Sequence, residues 1–236
     1  VAELGSLWVG KNITKIQEIC FSSFVKHGHK VNLFVYEDIG KVPDQVVLRD
    51  ANDVMAYDGI GNMANFADVF RYKMVEKFNF GWVDADTICL TDEWFPDDEY
   101  YCIMQHNGEV QNGIFRLPQG SDILQHIIKS SDMVDRSLLG WTDTNSNILN
   151  KAFDMFPDYK RYLIDESLVN GIEWQDWYYL WTPEHFKNVI EISKNIKSFS
   201  VYNEMASRAG IDKNNLPSGS AIEFFYNKYV LGLFNE

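Results

Sequence analysis

Asp84 and Asp86 stand one residue apart, directly after the short apolar run Gly81-Trp82-Val83. Carboxylates at i and i+2 leave an extended chain on the same side, and at a strand-to-loop junction they can converge on one cation. A hard divalent ion such as Mg²⁺ or Mn²⁺ takes oxygen ligands of this kind, commonly one or two carboxylates with substrate phosphates completing the shell. In an open α/β sheet, ligands bind just beyond the carboxyl ends of the strands, where this pair falls. A strand that simply ends in a turn carries the same triplet, so the pair alone leaves both readings open. Upstream, Asp68 and Arg71 are spaced i and i+3 on the helix that leads into this strand. The arginine fork could meet a phosphate or fix a carboxylate, and an ordinary helix ion pair has the same spacing.

The elements that must position these groups follow from hydrophobic spacing. Leu4–Val9 is an apolar run ending at Gly10 and reads as a buried strand. Ile13, Ile16, Cys20, Phe24 and His27 then recur at helical spacing, and Gly28 closes that helix. Val31, Leu33 and Val35 alternate as a second strand, completing a βαβ unit, and Val46-Val47-Leu48 reads as a third strand. A long helix is expected over roughly Phe66 to Phe78, capped by Asn62 or Asn65. With Asn65 as cap, Asp68 falls in the first turn. Later strands are expected at Ile103–Gln105, Gly113–Leu117 and Ser198–Tyr202, and helices at Asp122–Val134, Asn145–Phe153 and Ala221–Leu231. Alternating strands and helices through the first half predict an α/β fold with a mostly parallel central sheet flanked by helices.

Composition narrows the ligands. The chain of 236 residues is 46% hydrophobic, enough for a real core. Its 21 basic and 34 acidic residues give a net charge of −13, and no Lys/Arg cluster offers nucleic acid a footprint. An anionic ligand therefore needs a metal ion or a few well-placed cations. Cys20, Cys89 and Cys102 are far apart and form no CxxC pair, which fits a reducing compartment. No run reaches the roughly 20 apolar residues of a membrane span, and the first residues lack the pattern of a signal peptide. A soluble, cytoplasmic protein is the expectation.

Two motifs in order carry a resemblance. Asn65-Phe66-Ala67-Asp68-Val69-Phe70-Arg71-Tyr72, followed by Gly81-Trp82-Val83-Asp84-Ala85-Asp86, resembles the signature of sugar-nucleotide-dependent glycosyltransferases with a DXD motif. It is most similar to the group that includes glycosyltransferase family 32, with its mannosyl- and α-1,4-galactosyltransferase relatives. The clostridial glucosylating toxins are more distant, and small soluble glycosyltransferases of large DNA viruses give a fainter echo. Tyr202–Asp212 resembles a carboxyl-terminal block of some bacterial relatives, and Ser6–Gly10 resembles the group's first strand.

The resemblance implies a GT-A fold, a UDP-sugar donor (UDP-glucose or UDP-galactose as first guess), Mn²⁺ or Mg²⁺, a glycan or other hydroxyl acceptor, and retention at the anomeric carbon. One domain over residues 1–236 is implied, with a nucleotide-binding half of about 1–117 and an acceptor half of about 118–236. A fragment of a larger chain would look the same. Carried over, Asp86 resembles the direct metal ligand, and Asp84 the residue that meets ribose and donor sugar with some contact to the metal. Asp68 and Arg71 resemble donor-sugar contacts, with Arg71 near the diphosphate. Trp8, Val9 and Gly10 match the nucleotide-binding strand end, and Tyr36 sits where a ring could cover the uracil. Asp143 is the candidate for the oxygen facing the anomeric carbon, and Asn203 or a serine of the Ser218–Ser220 turn for a metal or phosphate contact from the tail. The sequence departs from the pattern at Phe80, where a second glycine is usual, and at Ser200, where a histidine is often found.

Other readings remain at this stage. A haloacid-dehalogenase-like phosphatase also carries D-x-D at a strand end and binds Mg²⁺, but its motif usually lies near the amino terminus and gives the Asp68/Arg71 helix no role. A non-catalytic sugar-nucleotide or glycan-binding domain would keep the same site. Glu173, Trp174, Asp176, Trp177, Tyr178, Tyr179 and Trp181 form an aromatic and acidic run that suits an acceptor platform or the packing of a strand and loop. Gln111-Asn112-Gly113 reads as a tight turn or as an amide placed near the donor.

Overall fold

The computed structural model describes residues 1–95, 99–138, 140 and 144–234. In chain order the strands are β1 (Glu3–Trp8), β2 (Lys30–Val35), β3 (Val47–Asp50), β4 (Gly81–Val83), β5 (Thr87–Cys89), β6 (Tyr101–Met104), β7 (Val110–Arg116), β8 (Leu163–Asp165) and β9 (Ser198–Ser200). The α-helices are α1 (Lys15–Lys26), α2 (Met63–Phe78), α3 (Asp122–Asp132), α4 (Ser146–Met155), α5 (Phe186–Ser193), α6 (Asn203–Arg208) and α7 (Ala221–Tyr229). A seven-stranded sheet runs in the order β3-β2-β1-β4-β7-β6-β8, and β5 pairs with β9 in a small separate sheet.

β3, β2, β1 and β4 are mutually parallel, β7 is antiparallel to both β4 and β6, and β8 is parallel to β6. The expected mostly parallel sheet flanked by helices is therefore present. Because β7 alone is reversed, one edge of the sheet collects the carboxyl ends of β1, β2, β3, β4, β6 and β8 together with the amino end of β7.

Alternation along the strands builds a core on each face. Leu7, Phe34, Trp82, Cys102 and Phe115 point into one core, covered by α2, α3 and α4 through Phe66, Phe70, Ile123, Leu124, Leu149 and Phe153. Leu4, Val31, Leu33, Val83, Tyr101, Ile103 and Ile114 point into the other, where Phe21 and Phe24 of α1 meet them. The opposite side of α1, with Ile16, Ile19 and Cys20, forms a third core with Ile88, Phe199, Ile222 and Phe225. α1 is thus covered on both sides, a layer deeper than its single predicted apolar face.

Several boundaries move for local reasons. The Asn62 side chain accepts the Asn65 N–H and starts α2 at Met63, so Asp68 lies in the second turn, not the first. Thr14 and Gln17 form a capping box at α1. Residues 111–113 lie within β7, not in a turn. The aromatic run forms a 3-10 helix over Trp174–Leu180 in place of a strand. β8, α5 and α6 are additional to the elements expected from the sequence. Among the described residues no helix is long and apolar enough to cross a membrane.

Candidate active site

β4 is buried throughout, and the chain leaves the sheet at Asp84. The Asp84 N–H donates to the Gly113 carbonyl at 2.9 Å, and its own carbonyl accepts from the Thr87 N–H at 3.1 Å. This closes a tight turn over Asp84-Ala85-Asp86-Thr87 between β4 and β5. Asp84 Oδ1 accepts from Trp82 Nε1 at 2.8 Å and lies 3.1 Å from the Arg71 guanidinium. Its side chain keeps 35% of its surface. A Cβ on Gly113 would come within 3.1 Å of Asp84 Oδ2, so glycine on β7 leaves this carboxylate its room.

Asp86 is tied to the chain's carboxyl-terminal part. Its carbonyl accepts the Val201 N–H at 2.8 Å, continuing the β5–β9 ladder, and its Oδ2 accepts the Asn203 N–H at 2.9 Å. Tyr202 between them has φ +52°, a left-handed conformation that side chains beyond glycine adopt at some cost. Its phenol holds it there: the hydroxyl donates to the Ile172 carbonyl at 2.6 Å and accepts from Asn170 Nδ2 at 2.5 Å.

Burial, followed by the charge of Asp84, pushes the Asp86 carboxyl up to about 6, against the pull of the Asn203 N–H and Arg71. The two carboxylates thus share a place where added positive charge is favoured. Among the described residues no group of three or more His, Cys, Asp or Glu forms a metal cluster. The protein offers two carboxylates, and water or substrate oxygens would have to complete a shell, which is the donor set suited to Mg²⁺ or Mn²⁺. Asn203 adds a buried side-chain oxygen with no hydrogen-bond partner.

Asp68 and Arg71 face inward from α2 and are buried. Asp68 accepts from Thr144 Oγ1 at 2.8 Å and Asn112 Nδ2 at 3.1 Å, and lies 3.2 Å from Arg71. Arg71 donates to the Asn112 carbonyl and side-chain oxygens at 2.8 and 2.9 Å and to the Ala67 carbonyl at 3.2 Å, over the Trp82 ring. Burial opposes the Arg71 charge, but Asp84 and Asp68 outweigh it and keep the guanidinium firmly ionised. Burial raises the Asp68 carboxyl against Arg71, Thr144 and Asn112. Among the described residues the strong partners of this pair are internal, so in this structure it bears on a ligand through the Asp84 carboxylate it orients.

Trp8, Val9 and Gly10 close β1, and Tyr36 follows β2, on the sheet edge shared with Asp84. Trp8 Nε1 donates to the Asn12 carbonyl at 3.1 Å, and Gly10 adopts φ +136° as the chain turns away. The Tyr36 hydroxyl donates to the Met55 carbonyl at 2.7 Å, and its ring lies 5.6 Å from Tyr57 and 6.1 Å from Phe66. Asp143 lies outside the described residues.

Three further participants stand beside the expected site residues, of which Asn112 and Tyr202 lie in stretches the sequence singles out and Lys213 does not. Asn112 joins Arg71 to Asp68, and Tyr202 carries the strained turn behind Asp86. Lys213 donates to Ser207 Oγ at 2.6 Å in a loop pinned to α1 by the Lys15 N–H on Asn214 Oδ1 at 3.3 Å. Burial lowers the Lys213 ammonium, while the charges of Glu204 and Asp86 pull it back up. A cavity of about 340 Å³ lined by Met55, Asp58, Val69, Lys73, Asp132 and Arg136 lies against a different face of α2. Four of its charges pair among themselves, Asp58 with Arg136 and Lys73 with Asp132.

No family model matches the chain, and no curated protein does. Solved structures do match. One is described as the PaToxG glycosyltransferase, to which this chain is similar at 11% identity over its whole length and 87% of that chain, with a TM-score of 0.49.

Proposed function

We propose that the protein is a metal-dependent glycosyltransferase that moves a sugar from a UDP-sugar to a hydroxyl of a glycan acceptor, with retention of configuration. One observation carries this reading: two carboxylates at the carboxyl edge of a mostly parallel sheet, one of them held up to about 6 by burial and by its neighbour. Such a pair is poised for a divalent cation, and the adjoining ends of β1 and β2 carry the aromatic residues Trp8 and Tyr36 for a nucleoside.

Asp86 and Asp84 would hold Mn²⁺ or Mg²⁺, with the free Asn203 oxygen a further donor. When bound, the ion would supply Lewis-acid stabilisation of the departing diphosphate. The chain's own residues do the rest. Arg71 and Trp82 fix the Asp84 carboxylate, leaving its second oxygen for ribose or donor-sugar hydroxyls. Lys213, on which the charge of Asp86 acts, would be a cation for a phosphate in an otherwise acidic field. The bond from the anomeric carbon to the β-phosphate oxygen breaks, with its electron pair leaving on UDP. The acceptor oxygen bonds to that carbon from the same face, and its proton passes to the departing phosphate, giving glycoside and UDP.

Calorimetric titration of a UDP-sugar panel, with and without Mn²⁺, on wild type and Asp86→Ala tests this. Metal-dependent binding of one UDP-sugar that the substitution removes is the expected result. No nucleotide sugar binding, with metal-dependent phosphate release from a simple phosphomonoester, would overturn it.

A further inference from the structure

The aromatic run divides in a way that the packing of a core does not explain. Trp177, Tyr179, Leu180 and Trp181 pack into the third core, but Trp174 and Tyr178 belong to none of the described cores. The Trp174 side chain is 54% exposed, and Tyr178 is 39% exposed. Tyr178 is nonetheless held in place, with Tyr179 at 5.0 Å and His185 at 5.6 Å between centroids, both edge-on. Behind it, Tyr179 and His185 stack at 3.9 Å. An exposed ring fixed in this way loses little freedom on binding, and Trp174, four residues earlier in the same kinked 3-10 helix, adds a second large exposed aromatic surface.

Its place relative to the aspartates is specific. Strand order puts β1, β2 and β3 on one side of β4, and β7, β6 and β8 on the other. The chain leaves β8 at the same sheet edge and passes through Glu166, Asn170 and Ile172 to Glu173 and Trp174. Asn170 and Ile172 are the residues that clamp the Tyr202 hydroxyl, one residue from the Asn203 N–H on Asp86. Burial raises the Tyr202 phenol, the Asn170 hydrogen bond lowers it, and the charges of Glu166, Asp86 and Glu173 raise it further, so Glu173 and Asp86 act on one phenol. Glu173 is exposed beside Trp174.

From this juxtaposition we infer that Trp174 and Tyr178, rimmed by Glu173 and Asp176, form the binding shelf for a carbohydrate acceptor on the side of Asp86 opposite the β1–β3 strand ends. The chemistry fits a neutral pyranose: its apolar C–H face stacks on an indole, and its hydroxyls donate to carboxylates that pair with no cation among the described residues. The inference rests on the glycosyl-transfer reading for the word acceptor, but not for the shelf itself.

The test uses ¹⁵N-tryptophan-labelled full chain, with the Trp174 indole resonance assigned by its loss in Trp174→Phe. Maltotriose, mannotriose, cellotriose and lactose are titrated singly without any nucleotide. At least one is expected to shift that resonance saturably, and no shift with any of them would overturn the shelf. With an active donor, Trp174→Ala should raise the KM for the acceptor sugar tenfold or more while its affinity for UDP with Mn²⁺ stays within twofold of wild type. An acceptor KM within twofold of wild type, or transfer to a polypeptide alone, would overturn the inference. If no UDP-sugar binds, the transferase reading fails by itself, and the indole shift still decides the shelf.

Discussion

Asp86 is the residue on which the site's electrostatics turn. A carboxyl whose folded pKa is raised above its unfolded value favours folding while protonated, and that contribution is lost as pH rises toward the folded value near 6. Metal-free protein should therefore lose stability on this account between about pH 4 and pH 6, and metal affinity should fall as pH drops through 6. Asp86→Asn keeps an oxygen for the Asn203 N–H and removes the repulsion from Asp84. In chelator at pH 7.5 it should raise stability by about 1–2 kcal/mol, discounted for partial exposure. At pH 4.5 it should change little, and thermal melts at the two pH values check this. Gly113→Ala has a different signature. A methyl 3.1 Å from Asp84 Oδ2 must displace that carboxylate. Affinity for the donor or metal should drop about tenfold with under about 1 kcal/mol lost in stability, because Asp84 is partly exposed and can move. Calorimetric titration beside a urea melt separates the two effects.

At the scale of elements, the short β5–β9 ladder matters out of proportion to its three residue pairs. It carries the tail across to the turn after β4, so that a segment over a hundred residues downstream supplies the N–H on Asp86. The strained Tyr202 is the hinge of that connection. Tyr202→Phe leaves Asn170 and the Ile172 carbonyl without their hydroxyl partner and should cost about 1–3 kcal/mol in urea unfolding. It should also weaken Mn²⁺ binding severalfold, since the left-handed turn is then held less firmly. A variant with lowered stability but unchanged Mn²⁺ affinity would show that the hydroxyl serves the fold alone. α2 illustrates the converse, an element read well from local signals. The phenylalanines at 66, 70 and 78 place its body and its end, the choice of Asn62 over Asn65 as cap adds three residues at its start, and Asp68 and Arg71 fall on its inner face.

For the whole molecule, the net charge of −13 sets the terms on which any anion enters. The described cations near the aspartates are few, and Arg71 is already engaged by Asp68 and Asp84. UDP without a divalent ion should therefore bind weakly, and raising NaCl from 20 to about 200 mM should strengthen that binding by screening long-range repulsion. With Mn²⁺ present the salt dependence should be much shallower. Titrations at two salt concentrations, each with and without Mn²⁺, measure both slopes.

Chemistry concentrated in one short stretch was legible without coordinates. Asp84 and Asp86 at a strand end, the Asp68/Arg71 spacing, the opening βαβ unit and the mostly parallel sheet all follow from local periodicity and turn chemistry, which act over a few residues. Tertiary structure alone decided what those residues touch. Arg71 turns inward to Asn112 and Asp84, a pairing that depends on β7 lying beside β4. Asn203 reaches Asp86 only through the β5–β9 ladder. Trp174 and Tyr178 are separated from Trp177 and Trp181 by the turn of a kinked 3-10 helix against the third core. Each of these depends on non-local contacts, whose partners no local pattern encodes, whereas the residues that bond to their own near neighbours declare themselves in the chain.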